Sequence, residues 1–364
     1  MRILRVVIAG GGTGGHLYPG IAVARELLRR RPDARITFAG TARGIESRVI
    51  PKERFELDTL RSAGLKGTSL ARRARGLLLV PLSGIDAWAI LSRRTPDLVI
   101  GVGGYSSGPV VLMAALRRIP TLLLEQNAAP GLTNRLLARV VSAAAVTFES
   151  TVSYFGRRAI VAGNPVRSEF LADDPVPGTR APGPPRVLIF GGSQGAHAIN
   201  LAMVEAAAQL AAYPGGLAVT HQTGERDLEL VRDGYRAAGI EARVEPFLYA
   251  MDREIKDADL IVCRAGATTL AELTAAGRPA ILVPLPTATD DHQRKNAQVL
   301  VEAGAADLVD QRSMTGAVLA ERIAALLGDR ARLTSMSSAA RRLARPDAAR
   351  IIADKALELA EARS

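Results

Sequence analysis

Val6-Val7-Ile8-Ala9-Gly10-Gly11-Gly12-Thr13-Gly14-Gly15-His16 carries a short β-branched run straight into glycines, and an Ala/Leu/Arg-rich helical stretch follows at residues 21–30. A strand that ends in such a turn and continues as a helix aims backbone N–H groups and a helix N-terminus at one point, where a diphosphate can sit. The pattern returns at Val187-Leu188-Ile189-Phe190, followed by Gly191-Gly192-Ser193-Gln194-Gly195-Ala196 and a helical stretch at residues 201–212. Around each turn, short apolar runs (residues 36–39, 98–102 and 121–124, then 217–221, 260–263 and 280–283) alternate with helical ones. That rhythm predicts an α/β fold of two Rossmann-like units, each a doubly wound parallel sheet with crossover helices.

Between the two series, residues 172–186 hold Pro175, Pro177, Pro182, Pro184 and Pro185, which no helix or sheet interior accepts. The expected division is a domain at 1–164, a hinge and linker at 165–186, a second domain at 187–340, and a closing helical segment at 341–364 packed across the junction. Ligands of open α/β sheets bind beyond the carboxyl ends of the strands, so the site is expected in a deep cleft between the domains.

The chain has 364 residues, 48% hydrophobic, which excludes a disordered or fibrous protein. Its 47 Lys and Arg against 36 Asp and Glu give a net charge of +11 and predict an anionic partner. Nucleic acid is a poor choice, because aromatic residues reach only 4% and offer few stacking platforms. A single cysteine, Cys263, excludes an internal disulfide and a Cys-rich metal site. No signal-peptide pattern opens the sequence, and the apolar region at residues 76–91 is interrupted by Pro81 and Asp86, short of the roughly 20 residues a spanning helix needs. The expected location is the cytoplasm or the membrane surface facing it.

His16 sits at the lip of the first turn. An imidazole beside a bound diphosphate has a suitable unperturbed pKa to take a proton from a hydroxyl. Gly10, Gly12 and Gly15 also satisfy a dinucleotide fingerprint, but that scheme wants an acid roughly 20 residues on, at the end of the next strand. Here Asp33 comes before that strand and Glu46 some way after it. The hydroxyl of Ser193 is placed to donate to a phosphate in the second turn. In Arg264-Ala265-Gly266-Ala267-Thr268-Thr269-Leu270-Ala271-Glu272, small residues let a ligand approach the backbone and Glu272 stands one turn into a helix, where a carboxylate can hold ribose hydroxyls. Asp290 and Asp291 read as helix-capping acids, while His292 and Gln293 offer hydrogen bonds to a sugar. The Asp-x-Asp triplet Asp257-Ala258-Asp259 precedes its strand, at the end away from the ligand, and reads as surface structure; no metal site is expected. Residues 60–94 combine Arg61, Lys66, Arg72, Arg73, Arg75, Arg93 and Arg94 with Leu77, Leu78, Leu79, Val80, Leu82, Ile85 and Trp88, the composition of a surface that settles on anionic lipid.

Seven ordered segments carry a resemblance: Gly11 to His16 with Pro19-Gly20, Gly103-Gly104-Tyr105 with Ser107-Gly108-Pro109, Glu125-Gln126-Asn127, Gly163-Asn164-Pro165-Val166-Arg167, Gly191 to Ala196, Cys263 to Ala267, and His292-Gln293. Together they resemble the MurG family of bacterial glycosyltransferases (family 28), from about residue 7 to about residue 310. The resemblance implies the GT-B architecture and metal-independent, inverting transfer of N-acetylglucosamine from UDP-N-acetylglucosamine to lipid I, giving lipid II for the cell wall. It implies no cofactor, and a peripheral place on the cytoplasmic face of the inner membrane, with residues 60–94 against the lipid. By motif match His16 is the base. Thr13, Gly14, Gly15, Asn127, Arg167, Ser193, Leu248 (at the uracil), Arg264, Ala267, Thr268, Thr269, Leu270, Ala271, Glu272, His292 and Gln293 meet the donor. Gly11, Gly12, Gly104, Tyr105 and Glu125 meet the acceptor. Where the family has an acid pair before Met251, this chain has Tyr249-Ala250. A related epimerase of UDP-N-acetylglucosamine, a transferase with another acceptor, and a non-catalytic sugar-nucleotide binder are the alternatives.

Overall fold

A computed structural model describes residues 3–61, 70–171, 183–192 and 194–362. Two compact units emerge: residues up to Arg167 joined by those from Arg345 onward, and Ser168–Ala344. The first unit runs β1 (Arg5–Gly10), α1 (Gly14–Arg30), β2 (Arg35–Gly40), α2 (Glu46–Lys52), β3 (Glu56–Thr59), α3 (Leu70–Arg94), β4 (Leu98–Gly103), α4 (Ser107–Leu116), β5 (Thr121–Glu125), α5 (Leu132–Leu137), β6 (Ala143–Val146), α6 (Val152–Phe155) and β7 (Ala159–Val161). Its seven strands pair in parallel in the order β3-β2-β1-β4-β5-β6-β7.

The second unit runs β8 (Arg186–Phe190), α7 (His197–Ala211), β9 (Ala218–Gln222), α8 (Leu228–Ala237), β10 (Ala242–Glu245), α9 (Met251–Asp257), β11 (Leu260–Cys263), α10 (Ala267–Ala276), β12 (Ala280–Leu282), α11 (His292–Glu302), β13 (Ala306–Leu308), α12 (Gly316–Gly328) and α13 (Arg330–Leu343). Its six strands, again parallel, take the order β10-β9-β8-β11-β12-β13. The last helix, α14 (Ala348–Glu361), belongs to the first unit and packs beside α1.

Strands covered on both faces read as continuous apolar runs because alternate residues feed opposite layers. In β1, Val6 and Ile8 join Leu17, Ile21 and Leu27 of α1 and Ile352, Ala353 and Ala356 of α14. Val7 and Ala9 face the other way, onto Ile90 and Leu91 of α3 and Val110, Val111 and Ala114 of α4. In the second unit Val187, Ile189 and Val262 pack with Ile199, Met203 and Leu210 of α7 and with Leu319 and Ile323 of α12.

Each sheet reverses its strand order once, between β1 and β4 and between β8 and β11. Those strands stay paired to their last residues, Gly10 with Gly103 and Phe190 with Cys263, and the helices that follow in the first sheet, α1 and α4, cover opposite faces, the arrangement that leaves a ligand crevice beyond the strand ends in this class of sheet. Both glycine turns lead out of such strands. Of the proline-rich segment, residues 172–182 lie outside the described residues, and Pro184 and Pro185 run directly into β8.

Candidate functional site

The first unit's switch point is built from two glycine loops pressed together. A Cβ on Gly104 would stand 2.6 Å from the Gly11 carbonyl oxygen, and Gly104 takes φ +81°, so a side chain there is excluded twice over. Beyond Gly12, α1 begins at Gly14, well before the apolar stretch at residues 21–30. The amides of Gly14 and Gly15 and the ring of His16 therefore belong to its first turn. Thr13 is the N-cap, its side chain makes no capping bond, and no acid lies in the first turn, which leaves the positive end of the helix dipole for an anion.

His16 stands against Gly103, where a Cβ would lie 2.9 Å from Nδ1, and that nitrogen is 3.3 Å from Oε1 of Gln126. Two carboxylates shape this end of the sheet from inside. Glu46, with no exposed surface, accepts from the Gly12 amide, the Thr41 amide and the Thr41 hydroxyl, each at 2.8 Å. Its carboxyl group lies 2.4–2.7 Å from where a Gly11 Cβ would be and also crowds Gly40 and Gly44. Glu46 thus turns inward as the brace of the glycine loop, whereas a dinucleotide site needs an acid presented to a ribose.

Glu125, buried at the end of β5, accepts from the Asn127 and Gly131 amides at 3.0 Å and from the side chains of Asn134 at 2.8 Å and Asn127 at 3.4 Å. Its oxygens are engaged in holding the loop over residues 125–131. Tyr105 is about half exposed, and the Arg167 guanidinium lies 5.4 Å over the ring of Tyr18 on α1.

In the second unit, β8 ends at Phe190 and the loop passes to α7, whose first turn carries no acid. Ser193 lies outside the described residues. The loop closes against β9: a Cβ on Gly195 would fall 1.8 Å from the Thr223 carbonyl oxygen, so only glycine fits. Gln222 donates to the Gly192 carbonyl at 2.8 Å and accepts from the Leu248 amide at 3.0 Å. One amide side chain therefore ties the glycine loop to the segment after β10 that holds Leu248, and with that N–H engaged the Leu248 carbonyl is the backbone group left to a base.

Across the switch point, Gly266 caps α10, whose first turn holds Ala267, Thr268 and Thr269, with Leu270, Ala271 and Glu272 following. Glu272 is 8% exposed. Arg264 donates to the carbonyls of Val283 and Pro284 at 3.1 and 3.3 Å, and among the described residues no carboxylate pairs with it. Burial holds its pKa below the ordinary arginine value, the mark of a cation lacking a counter-charge. An anionic ligand would supply one.

Gln293 accepts from the Leu285 amide at 3.0 Å, which turns its NH2 group outward, and His292 Nδ1 donates to the Thr289 carbonyl at 2.7 Å. Asp290 and Asp291 both adopt left-handed backbone, φ +54° and +53°, in the turn before α11. The Asp257/Asp259 pair lies at the opposite, amino-terminal end of the sheet, where Asp259 accepts from the Arg186 amide at 2.8 Å and Asp257 pairs with its guanidinium at 3.3 Å. Among the described residues no group of three or more His, Cys, Asp or Glu is arranged to hold a metal ion.

Sequence reading missed three of the residues that do the arranging. Gln126 follows β5 and Gln222 ends β9, where a polar residue was the available signal, while Glu46 opens α2; their partners Val102 and His16, Leu248, and Gly12 lie far away in the chain and leave no mark in spacing.

On the surface, Ile85 and Trp88 of α3 and Leu112 and Leu116 of α4 are exposed on neighbouring helices, and the Arg117 guanidinium lies 4.7 Å over the Trp88 ring. Arg61 pairs with Asp86, Arg93 with Asp58, and Arg94 with Asp58 and Glu56. Lys66 and the side chains of residues 70–80, including Arg72, Arg73, Arg75, Leu77, Leu78, Leu79 and Val80, lie outside the described residues. No described helix is long and apolar enough to cross a membrane.

Known proteins match this arrangement over its length. Residues 6–146 match the glycosyltransferase family 28 N-terminal domain and residues 186–352 the glycosyltransferase family 28 C-terminal domain. The chain is similar to the UDP-N-acetylglucosamine--N-acetylmuramyl-(pentapeptide) pyrophosphoryl-undecaprenol N-acetylglucosamine transferase of Anaeromyxobacter sp. (strain K), at 49% identity over 99% of this chain and 94% of the relative. The enzyme of that name from Myxococcus xanthus (strain DK1622) is 46% identical over 98% and 93%. Among solved structures, Acinetobacter baumannii MurG superposes with a TM-score of 0.79 at 32% identity, covering 98% of this chain and 99% of that one. With both halves of the family matched in order, and with this level of identity along nearly the whole length, the chain belongs to glycosyltransferase family 28.

Proposed function

We propose that the protein transfers N-acetylglucosamine from UDP-N-acetylglucosamine to the C4 hydroxyl of the muramyl sugar of lipid I, forming lipid II for peptidoglycan synthesis. The observation that carries this reading is the full-length relation to enzymes named for that reaction, 49% identical over 99% of the chain. Each unit contributes one anion-binding switch point, and the two substrates each bring a diphosphate.

The first unit (1–164 in the sequence reading) takes the acceptor: Gly11, Gly12, Gly104 and Tyr105 border its diphosphate, and Glu125 acts by holding the neighbouring loop. The second unit takes the donor. The α10 N-terminus at Ala267, Thr268 and Thr269, with Leu270 and Ala271 behind it, meets phosphate and ribose, and Glu272 accepts the ribose hydroxyls. The Leu248 carbonyl meets uracil; Ser193 and Arg264 meet the diphosphate; His292 and Gln293 meet the sugar. Thr13, Gly14, Gly15, Asn127 and Arg167 are further donor contacts in this proposal.

His16 removes the proton as the C4 oxygen attacks the anomeric carbon and UDP leaves with inversion, through an oxocarbenium-like transition state. Negative charge growing on the leaving diphosphate is met by fixed helix-end amides and by Arg264 and Arg167, donors already oriented before reaction and so free of reorganisation cost. The exposed Ile85, Trp88, Leu112 and Leu116 with Arg117 form the face that rests on anionic lipid at the cytoplasmic side of the inner membrane, where lipid I is anchored.

The test is UDP release from UDP-N-acetylglucosamine with a short-chain lipid I analogue in the presence of a chelator. Wild type is expected to turn over, His16→Ala to lose about 10²- to 10⁴-fold in kcat, and Glu272→Ala to raise the donor KM. Isomerised sugar nucleotide formed without acceptor, no UDP release with it, or loss of activity on chelation would overturn the reading.

A further inference from the structure

We propose that Gln126 is a positioning residue that sets the tautomer of His16, holding the proton on Nδ1 and the basic lone pair on Nε2. The assignment follows from two hydrogen bonds read in order. Gln126 is buried at the end of β5, and its Nε2 donates to the Val102 carbonyl at 3.0 Å. A carbonyl oxygen can only accept, so the NH2 end of the amide must face Val102 and Oε1 must face His16, at 3.3 Å from Nδ1. An amide oxygen can also only accept, so Nδ1 carries the hydrogen. Gly103, without a Cβ, lets the ring stand 2.9 Å from where that atom would be. The backbone of β4 thereby orients Gln126, and Gln126 orients the imidazole.

An amide in this place has a chemical consequence that a carboxylate would not. Both groups accept from Nδ1–H, but a carboxylate also favours the imidazolium and raises its pKa. A base required in its neutral form, beside substrates that already bring negative phosphates, is better served by a neutral acceptor that fixes direction without holding the proton on.

The inference rests on His16 as the base, and its test separates the two ideas. The chain has four histidines, so 15N-histidine labelling gives few resonances, and His16→Ala assigns its own. His221 supplies an internal contrast. Asn200 uses its NH2 on the Thr223 carbonyl at 2.9 Å and on Asp227 at 2.8 Å, so its Oδ1 faces His221 Nε2 at 3.0 Å and that nitrogen is the protonated one. Above its titration, His16 is expected as the Nδ1–H form and His221 as the Nε2–H form.

Gln126→Leu removes the acceptor and should move His16 toward the Nε2–H form, with kcat lowered about 10- to 100-fold and the donor KM unchanged. Gln126→Glu should keep the Nδ1–H form and shift the acid limb of the kcat/KM profile up by about one pH unit, a change that a purely structural role would not produce. A wild-type His16 in the Nε2–H form, or a Gln126→Leu protein with unaltered tautomer, overturns the proposal. If Gln126→Leu does not fold, the Gln126→Glu profile decides, and an unshifted acid limb there counts against the proposal. A His16→Ala enzyme with normal turnover beside a wild-type Nδ1–H signal would instead sink the base reading and leave the tautomer assignment standing.

Discussion

Glu46 shows how a single buried carboxylate can brace a glycine loop from inside. Three donors at 2.8 Å converge on it, and a buried donor left without an acceptor costs about 1–3 kcal/mol. Glu46→Ala is expected to destabilise the first unit by roughly 3 kcal/mol, read as a lower urea midpoint, and to lower kcat/KM by loosening the Gly12 amide. His221 in the second unit makes a different prediction. Burial pushes its pKa from 6.5 down to about 3, so between those values the unfolded chain binds a proton that the folded protein refuses. Its contribution is fully present above pH 6.5 and is lost as pH falls toward 3, at about 1.4 kcal/mol per pH unit. His221→Asn should give a shallower loss of stability between pH 7 and pH 5 in denaturant titrations; an unchanged slope would place the acid sensitivity elsewhere.

At the scale of elements, the decisive placement is α14. It is the last helix in sequence, yet Ile352, Ala353 and Ala356 lie in the same core layer as Val6 and Ile8 of the first strand. Arg30 of α1 pairs with Asp354 across the contact, and a Cβ on Gly163 would meet the Arg345 side chain at 2.4 Å. The first sheet is therefore roofed by residues that the chain supplies only after the second unit is complete. Ile352→Ala should cost about 2–5 kcal/mol and lower the melting temperature of the first unit, while leaving a uridine nucleotide's affinity for the second unit unchanged. Loss of nucleotide binding in that variant would contradict the division into units.

For the molecule as a whole, the proposed membrane association predicts that net charge +11 and the apolar group of Ile85, Trp88, Leu112 and Leu116 act together. Apolar side chains supply sequence-independent insertion, and basic side chains add attraction to anionic headgroups that salt weakens. A Trp88→Glu/Leu116→Glu double variant is expected to bind vesicles of equal phosphatidylglycerol and phosphatidylcholine at least about tenfold more weakly in co-sedimentation, with kcat on a soluble acceptor analogue unaffected. Equal binding by both proteins would overturn the assignment of this face to lipid. The ion pairs of Arg61 with Asp86 and of Arg93 and Arg94 with Asp58 temper the charge of this face, since part of the basic segment is already matched within the protein.

The sequence by itself determined the class of fold and the family. Apolar runs ending in glycine turns are local facts: only glycine tolerates the backbone at Gly11 and Gly195, and short apolar runs of that length alternate between two buried faces. The strands beginning at Arg5, Leu98, Arg186 and Leu260 and the seven ordered motifs were legible for that reason, whereas α1 and α7 begin at Gly14 and His197, before the apolar stretches at residues 21–30 and 201–212 that signal them. What the tertiary structure decided was which polar groups remain available to a substrate. Glu46 and Gln222 are engaged with the distant backbone amides of Gly12 and Leu248, Gln126 meets His16 across 110 positions of chain, and among the described residues no carboxylate pairs with Arg264. Hydrogen bonds between distant segments depend on register and on the order of strands in the sheet, and neither quantity is written in the spacing of residues along the chain.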